Sequence, residues 1–164
     1  MLVVEDGTGL DTADAYVSRD YVSAYWTAQP HLAAAATWSA LGTAAQDGAI
    51  REATASIDRL YGERFKGVRL SNSQALLWPR SDAMDERGYP LPAVPMQLQR
   101  APAELAARAA AGEVVKDQAR GGAIQSVAAG VAVTYAADAP AGKTYTAVDL
   151  ELRPLMKSGR WGFM

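Results

Sequence analysis

Residues 137–144, ADAPAGKT, are the part of the chain closest to a ligand-binding motif. They lie between a strand-like run and a helix-like run, in the order of a phosphate-binding P-loop, which wraps phosphate with successive backbone N–H groups. Ala137 stands where the first glycine is needed, and Pro140 removes one N–H donor. The chain after Thr144 is too short for a further strand with a magnesium-binding aspartate. We therefore predict a solvated turn at this segment.

Asp82, Asp85 and Glu86 form an acidic cluster that could act as a general acid/base pair or bind a cation. Paired carboxylates do such work where burial separates their pKa values. These three lie in a loop rich in turn-forming residues, between Arg80 and Arg87. Nothing in this pattern indicates burial, so we expect a solvated loop.

The chain has few residues of the types that usually act in catalysis or bind metals, histidine and cysteine. The chain has no cysteine, which excludes disulfides, thiolate catalysis and cysteine zinc sites. The single histidine, His31, follows Pro30 and cannot make a multi-histidine metal site. A serine triad needs a histidine, and the chain has no G-x-S-x-G motif. We expect a protein that is not an enzyme, with no catalytic residue, no metal site and no cofactor.

Hydrophobic spacing predicts the first two helices. Ser18 is a candidate N-cap for the first, which Pro30 ends. In the second, Thr43 and Gln46 form a candidate capping box, and apolar residues then repeat at three and four positions up to Tyr61. The aromatic residues of the first helix lie at the spacing of a buried face. We expect them in the core rather than on a surface that stacks bases.

The second half of the chain predicts two more helices and a hairpin. Pro95 suits the first turn of a third helix, which ends at Gly112. Residues 123–136 alternate around a glycine and predict a short β-hairpin. A final short helix is expected from about Tyr145 to Met156. Together with the extended termini, this gives a mainly α fold: a small bundle of about four helices with one short β-hairpin.

The segment QALLWPR, Gln74 to Arg80, is predicted to be a structural corner. Ser71 or Asn72 could cap a short helical turn over residues 75–77. Pro79 disfavours the α conformation for the residue before it, so any such turn must end at Trp78. We expect Leu77 and Trp78 to pack inward and Pro79 to direct the chain into an exposed loop or small hairpin over residues 81–94. Arg80 is then placed to contact a neighbouring subunit.

Charge is spread unevenly along the chain. The net charge is −2 and the pI about 5.4, so the molecule as a whole lacks the basic footprint of a nucleic-acid-binding protein. Residues 1–20 carry five carboxylates and one arginine, whereas residues 151–164 carry three basic residues and one glutamate. Ends of opposite sign suit head-to-tail contact between copies, although solvated termini are the simpler interpretation.

The termini also bear on location and partners. No apolar run is long enough for a transmembrane helix, and the start, MLVVEDGTG, lacks a signal-peptide core. We expect synthesis in the cytoplasm and no membrane partner. At the other end, Arg160, Trp161 and Phe163 stand among glycines, which is typical of a docking peptide. We interpret residues 157–164 as a C-terminal docking tail and residues 1–156 as a single domain.

Five segments occur in order along the chain: VEDGTGL, REATASIDRLY, QALLWPR, VPMQLQRAPAELA and GKTYTAVDLELRPLM. In this order they resemble the head–tail connector (adaptor) proteins of tailed phages, a family that also carries the label DnaT-like single-stranded DNA-binding protein. The resemblance covers nearly the whole chain. Its most specific part is QALLWPR, followed by a variable loop and VP. The ending, KSGRWGFM, extends past the family's usual pattern, which leaves open which terminus grips the portal.

The resemblance implies a mostly helical subunit of a homo-oligomeric ring, typically a dodecamer, beneath the portal protein in the head–tail neck of the virion. It further implies a tail-side partner, either a connector or stopper protein or a tail terminator. Packaged DNA would pass through without specific binding, since an acidic channel does not hold it. The alternative function is a single-stranded DNA-binding accessory protein of replication.

Overall fold

The computed structural model describes residues 2–110, 114 and 145–157. Within them the chain forms five α-helices, two 3-10 turns and one two-stranded ribbon. The helices are α1 Arg19–Thr27, α2 Ala33–Ser39, α3 Thr43–Tyr61, α4 Met96–Ala109 and α5 Thr146–Leu152. The 3-10 turns are Gly62–Arg64 and Arg153–Leu155, and the strands are β1 Val68–Arg69 and β2 Arg80–Ser81. The prediction of a small, mainly α domain is confirmed.

Helix α1 begins where the sequence predicts. Ser18 Oγ accepts a hydrogen bond from the Tyr21 N–H at 3.1 Å, which satisfies one of the free N–H groups of the first turn. Trp26 is buried, and its Nε1 donates to the Ala103 carbonyl at 3.1 Å. This bond ties α1 to α4.

Helix α2 is one that the hydrophobic pattern does not predict. Four successive alanines show no alternation of apolar and polar residues, so the helix has no 3.6-residue hydrophobic pattern. Alanine nevertheless has the highest helix propensity of all residues. Trp38 anchors the helix, because its ring is buried and its Nε1 donates to Ser23 Oγ at 3.1 Å.

Helix α3 has the predicted span and buried face, but not the predicted cap. Gly42 stands at the N-cap and Thr43 is already helical, so the capping box is wrong. The Gln46 side chain instead donates to the Trp38 carbonyl at 3.2 Å, which fastens the start of α3 to the end of α2. Ile50 and Ile57 are fully buried on the face that meets α4.

Helix α4 is the central element and packs against each of the four other helices. Fully buried alanines on its surface, such as Ala101 and Ala106, let neighbouring backbones approach closely. Pro95 is the N-cap rather than a first-turn residue. The helix ends at Ala109, and the predicted stop, Gly112, lies outside the described residues.

Helix α5 and the 3-10 turn after it correspond to the predicted final helix. Val148, Leu152 and Leu155 are fully buried against the core. The Tyr145 hydroxyl donates to the Val114 carbonyl at 2.8 Å, at the start of this unit. Met156 forms an antiparallel bridge with Phe65 at its end.

The ribbon and the loops complete the described fold. Strands β1 and β2 are antiparallel, with Arg69 opposite Arg80. Within residues 81–94 a single bridge, Met84 to Pro90, makes a small exposed hairpin, as predicted. The hairpin predicted over residues 123–136 lies outside the described residues. The helical turn predicted over residues 75–77 is wrong, because that segment is irregular.

None of the helices described above combines the length and the apolar content needed to cross a bilayer.

Candidate functional site

The segment Gln74–Arg80 lies against the C-terminal end of α3 and the chain that follows it. Trp78 is fully buried, and its ring meets that of Phe65 edge to face with centroids 5.6 Å apart. Its Nε1 donates to the Ala93 carbonyl at 2.6 Å. Pro79 follows through a cis peptide bond and is buried, while Leu77 is half-buried. These side chains are held by contacts within the chain.

A carboxylate of α3 fastens this segment. Asp58 accepts hydrogen bonds from the Tyr16 hydroxyl at 2.5 Å and from the Leu77 N–H at 2.9 Å. The Trp78 N–H in turn donates to the Tyr16 oxygen at 3.1 Å. Burial raises the pKa of Asp58, against the opposing effect of its hydrogen bonds and of two nearby arginines. Burial and the adjacent Asp58 carboxylate hold the pKa of Tyr16 well above its ordinary value.

The side chain of Gln74 replaces the helical turn that the sequence predicts there. It is 2% exposed, and its Nε2 donates to the carbonyls of Leu76 and Pro79 at 2.8 and 3.0 Å. Its Oε1 accepts from the Ser71 N–H at 2.8 Å. Because one side chain satisfies three backbone groups, the segment is stable without helical hydrogen bonds.

Glu5 organises the N-terminal loop in a similar way. Its buried carboxylate accepts from the N–H groups of Gly7, Gly9 and Leu10 at 2.9, 2.9 and 3.0 Å. Gly7 has φ 98°, and a Cβ there would lie 2.7 Å from the Cβ of Ala93. The motif VEDGTGL is therefore a compact loop in which the Glu5 carboxylate binds the backbone N–H groups of the loop itself.

Arg80 also bonds to its own chain. Its Nε donates to the Lys66 carbonyl at 2.6 Å, Nη1 to the Leu77 carbonyl at 3.1 Å and Nη2 to the Gly67 carbonyl at 2.8 Å. Burial lowers the pKa of this half-buried guanidinium. A contact between Arg80 and a neighbouring subunit stays a prediction.

Five basic residues lie on the segment around Lys66 and Gly67 and on the C-terminal segment bonded to it. We define the basic surface by these residues: Arg64, Lys66, Arg69, Arg153 and Lys157. Two backbone hydrogen bonds join their segments, from the Lys157 N–H to the Arg64 carbonyl at 2.7 Å and from the Lys66 N–H to the Leu155 carbonyl at 2.9 Å. Segments about ninety positions apart in sequence are thereby brought side by side.

The basic surface differs in its charge compensation from four arginines elsewhere in the described chain. Its side chains are exposed, apart from the half-buried Lys66. In the described part of the chain, no carboxylate forms an ion pair with Lys66, Arg69, Arg153 or Lys157. Elsewhere arginine–carboxylate pairs do form: Arg19–Asp47, Arg51–Asp14, Arg59–Glu52 and Arg108–Glu104. Arg69 lies close enough to Asp58 to oppose the rise that burial causes in the pKa of that carboxyl, and the group as a whole carries an excess of positive charge, which favours an anionic ligand.

Apolar residues border this surface on the ribbon. Val68 is 57% exposed and Leu70 is 49% exposed. By contrast, Trp26, Trp38 and Trp78 are all buried, so none of them can stack on a base. The surface therefore offers charge and aliphatic contact.

The other sequence-predicted site residues are placed as follows. Asp85 accepts from the N–H groups of Arg87 and Tyr89, both at 2.8 Å, so it stabilises a turn, while Asp82 and Glu86 are exposed. Residues 137–144 lie outside the described residues, as do the docking-tail residues Arg160, Trp161 and Phe163. Across residues 2–110, 114 and 145–157, no group of three histidine, aspartate or glutamate side chains could hold a metal ion.

A protein-family model described as "Putative DnaT-like ssDNA binding protein" matches residues 1–164. The chain belongs to this family. No curated protein and no solved structure matches it. The match does not support the finer resemblance to head–tail connectors, but it agrees with the DnaT-like label given to the same sequence pattern.

Sequence reasoning missed the basic surface of this DnaT-like family member. Residues 59–69 hold four basic residues and one glutamate, which is a local signal that the net charge of −2 conceals. Arg153 and Lys157 lie in a C-terminal stretch that is also locally basic, but its position beside residues 64–69 depends on the bridge between Phe65 and Met156 and has no sequence signal. Asp58 was missed for a similar reason, since its two donors come from distant segments.

Proposed function

We propose that this chain is a non-enzymatic protein that binds single-stranded DNA through the basic surface. The observation that carries the proposal is the group of cations at residues 64–69 and 153–157, four of which form no ion pair with a carboxylate among the described residues. Lysine and arginine side chains that neutralise phosphates release condensed counterions, which drives binding. The description of the family supports the same ligand.

Charge, rather than base recognition, dominates this binding. The described tryptophans are buried, and the side chains beside the cations are aliphatic. Electrostatic binding without base contacts has dissociation constants of roughly 1–100 μM at physiological salt. With about four phosphates contacted, affinity for a single strand falls about 50-fold between 50 and 200 mM salt.

The test is fluorescence anisotropy of a labelled oligonucleotide over this salt range. The key variant is Arg153→Glu/Lys157→Glu, which reverses two charges of the basic surface. Two lost phosphate contacts reduce the slope of log K against log salt by about 1.4 and weaken binding at least about tenfold at 50 mM salt.

The matched control is Arg87→Glu/Arg100→Glu, which changes the net charge equally at two exposed arginines outside the basic surface. We expect less than a threefold change in affinity. Equal losses in both variants, or no binding by the unmodified protein at 50 mM salt, would contradict the proposal.

A second candidate function is a subunit of a phage head–tail connector. It is favoured by the segments that carry the resemblance. Glu5 and Gln74 bond to the backbone of their own segments, and Trp78 is buried, so these segments serve to hold the subunit together. A rigid scaffold suits a closed ring, in which many copies of one interface act together. Under this proposal the chain meets itself, a portal protein and a tail-side protein in the virion neck, and it lines the passage of DNA.

Two measurements separate the candidates. A connector subunit co-sediments with the portal protein of its phage and forms a ring on it, visible by negative-stain microscopy. A DNA-binding accessory protein binds oligonucleotide with the salt slope given above and does not sediment with the portal. Portal binding that survives Arg153→Glu/Lys157→Glu would place that contact outside the basic surface.

A further inference from the structure

We propose that Arg80 is a positioning residue of the basic surface, which holds the ligand-facing cations in place without contacting phosphate itself. This inference rests on the proposed binding of single-stranded DNA. It gives the arginine of QALLWPR a role within its own chain that acts through Lys66.

The guanidinium of Arg80 is already committed to the backbone. An arginine side chain has five N–H donors in a planar fork. Three of them donate to the carbonyls of Lys66, Gly67 and Leu77, at 2.6, 2.8 and 3.1 Å. The fork spans two segments, the turn before β1 and the corner before β2.

The turn at Lys66 has little room to move. Gly67 has φ 69°, and a Cβ at this position would lie 2.2 Å from the Ser81 carbonyl oxygen. The turn is thus packed directly against the end of β2. Without the guanidinium, two of its carbonyls lose their donor, and the turn must shift to find others.

Lys66 passes this constraint to the rest of the basic surface. Its carbonyl accepts from Arg80, while its N–H donates to the Leu155 carbonyl at 2.9 Å. Two residues further on, the Lys157 N–H donates to the Arg64 carbonyl at 2.7 Å. A displaced Lys66 therefore disturbs the register that brings residues 64–69 and 153–157 together.

Lysine cannot replace arginine in such a position. Its ammonium is a compact point charge without the planar fork that reaches several carbonyls at once. Arg80→Lys keeps the positive charge and removes the geometry, whereas Arg80→Ala removes both. The two variants therefore separate a positioning role from direct contact with phosphate.

The experiment measures oligonucleotide affinity at 50 mM salt for Arg80→Lys, Arg80→Ala, Lys66→Ala and Lys66→Ala/Arg80→Ala. Arg87→Ala is the control for loss of an arginine elsewhere. We expect Arg80→Lys and Arg80→Ala to weaken binding equally, about fivefold. We expect Arg80→Ala to weaken it by a similar factor in the Lys66→Ala background, because Lys66→Ala removes one cation and keeps the carbonyl that Arg80 holds. Urea denaturation of each variant establishes that it is folded under the assay conditions.

The contrary results are equally specific. Arg80→Lys that binds like the unmodified protein would show direct contact, and an Arg80→Ala effect that disappears in the Lys66→Ala background would show that the other cations do not depend on Arg80. Either would overturn the positioning role. Either result leaves the proposed function standing. Failure of the unmodified protein to bind any oligonucleotide would remove the proposed function, and the inference with it.

Discussion

Polar side chains in this protein mostly bind backbone groups. Glu5 accepts from three N–H groups, Gln74 bonds to three backbone groups and Arg80 donates to three carbonyls. Losing such a side chain leaves partly or fully buried backbone groups without protein partners, at a cost of up to about 1–3 kcal/mol for each group. The residues that make the sequence segments distinctive are therefore structural.

Asp58 gives a prediction at this scale. Because burial raises its pKa in the folded state, its contribution to stability is fully present below the unfolded pKa, about 3.9, and is lost as pH rises through the folded pKa. Asp58→Asn stays neutral at every pH and loses one hydrogen-bond acceptor, at a cost of about 1 kcal/mol. We expect its deficit in urea-unfolding free energy to be larger at pH 4 than at pH 7.

Asp11→Asn, at an exposed aspartate, is the control and should unfold as the unmodified protein does. A deficit of Asp58→Asn that grows from pH 4 to pH 7 would mean that the hydrogen bonds from Tyr16 and Leu77 outweigh burial.

At the scale of elements, the tight turn between the end of α3 and β1 decides how the ribbon sits. Gly67 and Gly88 both have positive φ, at 69° and 83°. A Cβ at Gly67 would meet the Ser81 carbonyl oxygen at 2.2 Å, whereas a Cβ at Gly88 meets nothing within 4 Å. The pair separates the cost of a left-handed backbone from the cost of a clash.

We expect Gly88→Ala to destabilise the protein by about 1 kcal/mol, the usual cost of a left-handed conformation for alanine. Gly67→Ala pays the same cost and must also displace β2, so we expect about 3 kcal/mol. Thermal and urea unfolding measure both. Equal losses at the two positions would mean that the turn at Gly67 relaxes freely.

The elements also show what the sequence can and cannot predict. Ser18 predicts the start of α1, and the spacing up to Tyr61 predicts α3, because both signals are local. Alanine carries no pattern, so α2 was missed. The false helical turn at residues 75–77 arose because the sequence gives no sign that the Gln74 side chain satisfies the backbone there.

The candidate site was less predictable than the fold. The basic turn around Lys66 is evident in the sequence, but its union with Arg153 and Lys157 depends on a long-range bridge. Likewise, the three hydrogen bonds of Arg80 could not be predicted, because its acceptor carbonyls are defined only by the tertiary fold. Every residue has a backbone carbonyl, so the residue types do not show which carbonyls will accept a hydrogen bond.

At the scale of the whole molecule, a net charge of −2 conceals local separation of charge. Asp6, Asp11 and Asp20 are exposed in the N-terminal part, whereas the basic surface gathers cations from residues 64–69 and 153–157. Each region acts over about one Debye length, roughly 8 Å at physiological salt, so the average charge does not determine what either one attracts.

This distribution predicts binding that is indifferent to base identity. The phosphate backbone is the same in every strand, and Trp26, Trp38 and Trp78 are buried. We expect oligo(dT) and oligo(dA) of equal length to bind within threefold of each other in anisotropy titrations. A preference of tenfold or more would indicate base stacking, and Trp161→Ala and Phe163→Ala would then show whether the C-terminal aromatics provide it.

The loop closed by Glu5 has a consequence for how anions distribute over this protein. Three converging N–H groups form the kind of backbone concavity that captures inorganic phosphate or sulfate in other proteins. Here the Glu5 carboxylate of the chain itself already occupies this concavity, so dissolved anions are left to the lysines and arginines of the basic surface.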